Sequence, residues 1–570
     1  MAALAAGWLL TGGMAAQEKT VRLKLVETSD VHGNYYPYDF VRRQPARGGL
    51  ARVCAFVREG RAALGDNLLL MDNGDILQGQ PTAYYYNFVD TISTHLAADM
   101  LNYMGYDAAS MGNHDVETGH PVYDRLRRQC RFPVLGANVV RTADGEPYFA
   151  PYALIEREGV RVAVLGMITP AVPNWLPESL WKGLRFDDMV ETARKWMPVL
   201  RGRERADVVV GLFHAGTEEV LVADAYRENA SEAVARLVPG FDVVFAGHDH
   251  QARCYRVANA EGDSVWVVDP ASAARMVADV DVCVRMKDGK VAGKELTARL
   301  TPMDAYEPDT AFLNRFDAQR GEVERFVSRR IGSLATGVST RPAYFGPSAF
   351  IDLIHTVQLE LTGADVSFAA PLSFAAEIPE GDVDMADLFN LYKFENRLYT
   401  VRMTGREIKD YLELSYARWT NRMQTPDDHL LRIVPRKEGK GWQFEHFSYN
   451  FDSAAGLRYT VDVTKPEGER VGILSMADGR PFEEDRDYVV AMNSYRAHGG
   501  GDLMTAGAGI PREGLAGRIL TATEMDLRFC LMRYLEEHLR LDPRPLDLWK
   551  FVPEEWTAPA AERDARLLFP

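Results

Sequence analysis

Five times between residues 23 and 250 a short apolar run stops and a polar cluster of Gly, Asp, Asn or His follows at once. This repeat constrains the fold more than anything else in the sequence. The five cases are LKLVETSDVH at 23–32, NLLLMDNGD at 67–75, DAASMGNHD at 107–115, VVVGLFHAG at 208–216 and VVFAGHDH at 243–250. A sixth apolar run, VAVLGMITP at 162–170, lacks such a cluster, and residues 50–64, 91–104 and 189–202 read as helices between the runs. Buried strands alternating with helices predict a layered α/β domain. In such sheets ligands bind beyond the C-terminal ends of the strands, which is where every polar cluster falls.

The pattern changes after residue 265. SVWVVDP, MVADVDVCVRM and LTARLTP alternate in polarity, and Lys-Asp-Gly at 287–289 reads as the turn of an antiparallel hairpin closing the domain. Residues 305–330, with Glu322, Glu324, Arg325, Arg329 and Arg330, suit a connecting helix. A second domain mixes helices (348–362, 404–418, 524–540) with strands (398–403, 458–463, 487–493) and carries the glycine-rich NSYRAHGGGD at 493–502. The expected division is a leader at 1–19, a catalytic domain at 20–300, a linker at 301–345, a second domain at 346–545 and a surface strap at 546–570.

Composition narrows the function. A chain of 570 residues is too long for one core. A net charge of −16 argues against a polynucleotide binder, which presents a basic face. An acidic protein takes small anionic substrates only when a cation in the pocket offsets the field. The start AALAAGWLLTGGMAAQEK reads as the apolar core and cleavage site of a signal peptide, although its basic flank is missing, so export, as to a periplasm, is expected. No other run approaches the ~18 apolar residues of a membrane span, so no stable membrane insertion is expected. The five cysteines, Cys54, Cys130, Cys254, Cys283 and Cys530, are too few and too scattered for a disulfide scaffold or a zinc site.

The polar clusters carry metal chemistry. In Asp30-Val31-His32 and His248-Asp249-His250 the i, i+2 spacing puts two donors on one side of an extended segment. Asp75 follows Gly74 and Asn113 follows Gly112, where the missing Cβ permits a sharp turn. Carboxylates, imidazoles and one carboxamide suit divalent Zn, Mn, Co or Fe. One Asp-x-His in a chain this long means little by itself. Five clusters, each behind a strand, amount to two metal shells.

In kind and order the motifs DVH, GD at 74–75, GNHD at 112–115, the lone His214 and GHDH at 247–250 resemble those of the calcineurin-like metallophosphoesterases. YKFEN, the Thr-Gly turn at 404–405 and NSYRAHGGGD resemble the C-terminal domain of bacterial nucleotidases. The resemblance implies a four-layer sandwich, two β-sheets flanked by helices, followed by an α/β specificity domain. It implies one metal held by Asp30, His32, Asp75 and His250, and a second held by Asp75, Asn113, His214 and His248, with Asp75 bridging. Two such cations clamp both ends of an in-line displacement at phosphorus. It further implies that His114 serves the leaving oxygen. Whether Asp115 or Glu117 orients His114 stays open.

The same resemblance implies that Phe394 and Tyr495 sandwich a nucleobase, with Asn493 and Arg496 adding hydrogen bonds to base or sugar. The Asn-Gly-Gly…Arg stretch of typical 5′-nucleotidases is missing from FAAPLSFAAEIPEGDV at 368–383. This and YNFDSAAGLRYTVDVTKP at 449–466 favour the branch that opens 2′,3′-cyclic nucleotides and then dephosphorylates the 3′-nucleotides. The alternatives are a 5′-nucleotidase or UDP-sugar hydrolase, a phosphoesterase for a non-nucleotide substrate, and a non-catalytic nucleotide-binding surface protein.

Overall fold

The structure is a computed structural model, and it describes residues 18–218, 221–222, 226–436, 439 and 441–570. The expected leader lies outside the described residues but for Glu18 and Lys19, which already belong to the first strand, Glu18–Thr28.

Two six-stranded sheets face each other. In the first, Glu18–Thr28 runs parallel to Leu68–Asp72, followed by Ala108–Ser110 and Val134–Leu135. Its other side is closed by the antiparallel hairpin Met276–Lys287 and Lys290–Pro302. Asp288 and Gly289 turn that hairpin, both at positive φ, as a two-residue turn between right-twisted strands requires. In the second sheet Val160–Ile168, Val208–His214, Val243–Phe245 and Ser264–Pro270 are parallel, with antiparallel edges Tyr152–Arg157 and Ala252–Ala258.

Alternation along the strands builds the layers. Val21, Leu23 and Leu25 point inward and pack with Val162, Val164, Val208 and Val210 of the facing sheet. Val26 points outward to Leu50–Leu64 and Leu96–Met104, and Leu165 and Val209 to Met189–Pro198 and Ser231–Leu237 on the opposite side. The result is helix, sheet, sheet, helix. The helix expected at 91–104 starts only at Leu96, because Asp90 caps a preceding turn through Ile92 N and Ser93 N. The expected connecting helix is two, Thr310–Arg315 and Asp317–Val327.

The second domain is built on a five-stranded sheet in the order Ser453–Ala455, Val366–Ala369, Asp487–Asn493, Arg397–Thr404, Ile519–Asp526. The helices Ala349–Thr362, Gly405–Trp419 and Leu527–His538 pack around it. The segment expected to be a surface strap is part of this domain. Trp549–Val552 pairs parallel with Leu457–Asp462, and Glu554–Leu568 follows as a helix. Trp549 and Phe551 are nearly wholly buried, which a strap would not allow. The two domains share a seam. Tyr84 joins the apolar cluster of Phe350, Leu388 and Phe389, its hydroxyl donates to Asp526 Oδ2 at 3.0 Å, and Arg43 pairs with Asp384. No helix among the described residues is long and apolar enough to cross a membrane.

Candidate metal centre

Five parallel strands, three from the first sheet and two from the second, end at one point. Asp30 and His32 follow Glu18–Thr28, Asp75 follows Leu68–Asp72, and Asn113 follows Ala108–Ser110. His214 ends its own strand, and His248 and His250 follow Val243–Phe245. Turning side chains back across strand ends forces unusual backbone. Asp30, His32, Asp75, His248 and His250 all sit at positive φ, between 49° and 75°. Non-glycine residues seldom adopt that region, and such strain gathers at functional sites. Two glycines let the loops close: a Cβ on Gly112 would lie 2.1 Å from Asp75 Oδ1, and one on Gly247 would lie 2.1 Å from Ser29 Oγ.

The donors form two groups, Asp30 with His32 and His250, and Asp75 with His214 and His248. His32 Nε2 and His250 Nε2 are 3.0 Å apart, and His250 Nε2 is 3.3 Å from Asp30 Oδ1. Asn113 Oδ1 lies 3.1 Å from His214 Nε2 and 2.8 Å from His248 Nδ1. Asp75 Oδ2 stands between the groups, 3.1 Å from His214 Nε2 and 3.9 Å from His32 Nε2.

Outer partners set which ring nitrogen faces inward. His32 Nδ1 donates to Gln78 O and His214 Nδ1 to Asn73 O, while His248 Nε2 meets Glu228 Oε1 at 3.1 Å. Each contact leaves the opposite nitrogen turned to the centre, the arrangement found around metal-bound histidines. Charge agrees with this. Burial would lower His214, yet Asp75 and Asp30 push it up to about 10. Burial would raise the Asp30 carboxyl, yet His214 and His250 hold it below the usual carboxylate range. Buried carboxylates that favour positive charge on His214 this strongly also suit cations, while burial keeps His32 neutral by lowering it to about 3, so the donor set fits divalent metal.

The carboxylate in contact with the His114 ring is Glu117. Its Oε2 lies 2.6 Å from His114 Nδ1, across one turn of the helix Asn113–Glu117. Against burial, Asp75 and Glu117 raise His114 to about 9. Asp115 does other work: its carboxylate accepts from the backbone N–H of Gly112, Asp75, Ile76 and Leu77, and so fixes the loop that carries Asp75.

The second domain brings its expected residues to one sheet end, because Leu398 pairs with Asn493 in register. Phe394 lies just before one strand and Tyr495 just after the other, both half-buried. Arg496 does not serve as expected. It is buried, and its guanidinium binds Asp452 at 3.0 Å, Asn450 Oδ1, Gly500 O and Tyr449 O, which uses its donors inside the domain. Its plane also lies against the Tyr495 ring, 5.3 Å from the centroid. Asn493 Oδ1 caps the short helix that follows by accepting from Arg496 N.

Two neighbours of the centre carry no motif in the sequence. Glu228 is one, and Trp175, stacked on His248 at 5.4 Å and 25°, is the other. Glu228 lies in an irregular stretch and Trp175 after a single short turn, so neither offers a signal in sequence. Ser29, whose Oγ donates to Asp30 at 2.5 Å, stands inside the DVH-bearing run and was within reach of it.

Residues 23–252 match the family described as calcineurin-like phosphoesterase, and residues 330–507 match the 5′-nucleotidase C-terminal domain. The chain is 27% identical over 94% of its length to the trifunctional nucleotide phosphoesterase protein YfkN of Bacillus subtilis, of which it spans 39%. It is 26% identical over 95% of its length to a 2′,3′-cyclic-nucleotide 2′-phosphodiesterase/3′-nucleotidase of Haemophilus influenzae, of which it spans 89%. Among solved structures, a putative 5′-nucleotidase from Staphylococcus aureus aligns with a TM-score of 0.75 at 22% identity, covering 93% of this chain and 99% of that one.

Proposed function

We propose that this chain, which belongs to the calcineurin-like phosphoesterases and carries a 5′-nucleotidase C-terminal domain, hydrolyses nucleotide phosphoesters at the joined donor groups around Asp75. The observation that carries the reading is two donor groups on either side of the Asp75 carboxylate with the His114–Glu117 pair beside them. Asp30, His32 and His250 would hold one divalent cation, Asn113, His214 and His248 a second, with Asp75 common to both. Bound there, the cations supply Lewis-acid stabilisation of the phosphoryl oxygens and an acidified water.

The chain's own groups do the rest. Asp115 holds the Asp75 loop rigid, and Gln78 O, Asn73 O and Glu228 fix the rings. Glu117 accepts from Nδ1–H of His114, which leaves Nε2 to hand a proton to the departing sugar oxygen. Phe394 and Tyr495 grip the base by its faces, which tolerates several bases and a shift of the sugar between two cleavages.

The favoured substrate is a 2′,3′-cyclic nucleotide, opened to the 3′-nucleotide and then to the nucleoside, in an exported protein. The H. influenzae relative's name and the missing Asn-Gly-Gly…Arg stretch support this choice. The test is turnover of 2′,3′-cyclic AMP, 3′-AMP and 5′-AMP side by side with added Mn²⁺, Zn²⁺ or Co²⁺. The first two are expected to exceed the third. Turnover of 5′-AMP far above both would make the protein a 5′-nucleotidase.

A further inference from the structure

The loop Tyr392 to Asn396 ends a helix and opens the strand Arg397–Thr404, and it is clamped from behind. Arg528, wholly buried, donates to Tyr392 O at 3.0 Å, to Lys393 O at 2.7 Å and to Glu395 Oε1 at 3.1 Å. Its plane is held between rings, 3.9 Å from the Phe389 centroid and 5.0 Å from that of Tyr84. The Glu395 side chain is 8% exposed. Its second oxygen, Oε2, is buried with no hydrogen-bond partner. Native proteins keep few buried acceptors unpaired, and those that persist call for an explanation.

Position supplies one. Glu395 adjoins Phe394, the ring proposed to carry the base. The Arg528 plane that holds this loop lies on Tyr84 of the first domain, four residues after Gln80, whose N–H donates to His32 O at 3.0 Å. Across this seam the Glu395 charge is felt at His114 and Glu117. A nucleotide with its base on Phe394 and its phosphate at His114 has its ribose between them. A ribose hydroxyl is a donor of the size and place that Oε2 lacks. We infer that Glu395 Oε2 accepts a hydrogen bond from a ribose hydroxyl of the bound nucleotide, which makes Glu395 a specificity-determining residue for ribonucleotides over deoxyribonucleotides. In a 3′-nucleotide the hydroxyl concerned is the 2′-OH, which neighbours the phosphate. A 2′,3′-cyclic nucleotide has no free 2′-OH and makes no such bond.

The inference rests on the nucleotide reading, and the experiment separates the two. Michaelis constants are compared among adenosine 3′-phosphate, 2′-deoxyadenosine 3′-phosphate, 2′,3′-cyclic AMP and p-nitrophenyl phosphate. The wild type is expected to favour the ribonucleotide over its deoxy analogue by roughly 10-fold, the worth of one hydrogen bond. Glu395→Gln keeps an oxygen for Arg528 and loses the acceptor at Oε2; Glu395→Met loses both. In each variant the ribonucleotide is expected to bind more weakly, its KM rising toward that of the deoxy analogue, with the other substrates unchanged. A loosened loop would raise the ribo and deoxyribo values together, so the ratio reads the hydroxyl and not the fold. Equal KM for the ribonucleotide and its deoxy analogue in the wild type, or equal rises in the variants, overturn the inference and leave the nucleotide reading standing. A wild type that cleaves p-nitrophenyl phosphate and no nucleotide overturns both.

Discussion

Two carboxylates stand within four residues of Asn113, and their surroundings give them separate tasks. Glu117 reaches the His114 ring, whereas both Asp115 oxygens are taken by backbone N–H groups of the Asp75 loop. Glu117→Gln should therefore lower kcat while bound metal stays at the wild-type level. The loss is bounded by the ~10²–10⁴-fold that a positioned acid supplies. Asp115→Asn should instead weaken metal retention, by about 10–100-fold as for other outer partners of metal ligands, because an amide cannot accept at both positions. Steady-state kinetics alongside elemental analysis of the purified variants decides between them. The reversed pattern would return the orienting role to Asp115.

At the level of elements, the strand Asp487–Asn493 and the glycine-rich turn behind it depend on Arg496. Arg496 and Asp452 are each 2% exposed in the side chain and lie 3.0 Å apart. Removing one member of such a pair leaves an uncompensated buried charge, which costs about 3–5 kcal/mol. Arg496→Met should lower the unfolding free energy by that amount in urea titration, and raise nucleotide KM only through the Tyr495 ring that rests on it. Full stability combined with a raised KM would show that Arg496 touches substrate after all. The clamp by Arg528 on the Tyr392–Asn396 loop follows the same design: a buried guanidinium holds a short loop. Both candidate base rings are thus mounted on arginine-braced segments, which limits the entropy lost when a base stacks.

For the whole molecule the final segment matters more than its position suggests. Trp549 stacks on Tyr459 at 5.8 Å and 9°, and Phe551, Ala560 and Leu568 join the core of the second domain. Asp564, fully buried, accepts from Leu431 N at 2.9 Å and pairs with His429. A chain cut after residue 545 should lose the fixed packing of that domain, since each deleted core aromatic costs about 3–5 kcal/mol. Loss of near-ultraviolet dichroism and of a cooperative melt is the expected result. A truncated protein with an unchanged melt would make the segment an appendage.

The sequence determined the layered fold and the donor set through short-range rules. Period-two burial, a two-residue spacing such as Asp30 to His32, and glycines at strand ends are all contained in windows of a few residues, so they could be read directly. The tertiary structure decided what each side chain meets. Glu228 reaches His248 from 20 positions away, and Arg496 reaches Asp452 from 44. Whether Arg496 points at a substrate or into a core is not a property of its own segment, because burial depends on what distant chain covers it. The same holds for the C-terminal segment, whose Pro and Trp content suits a strap or a strand equally until a free sheet edge beside Leu457–Asp462 takes it.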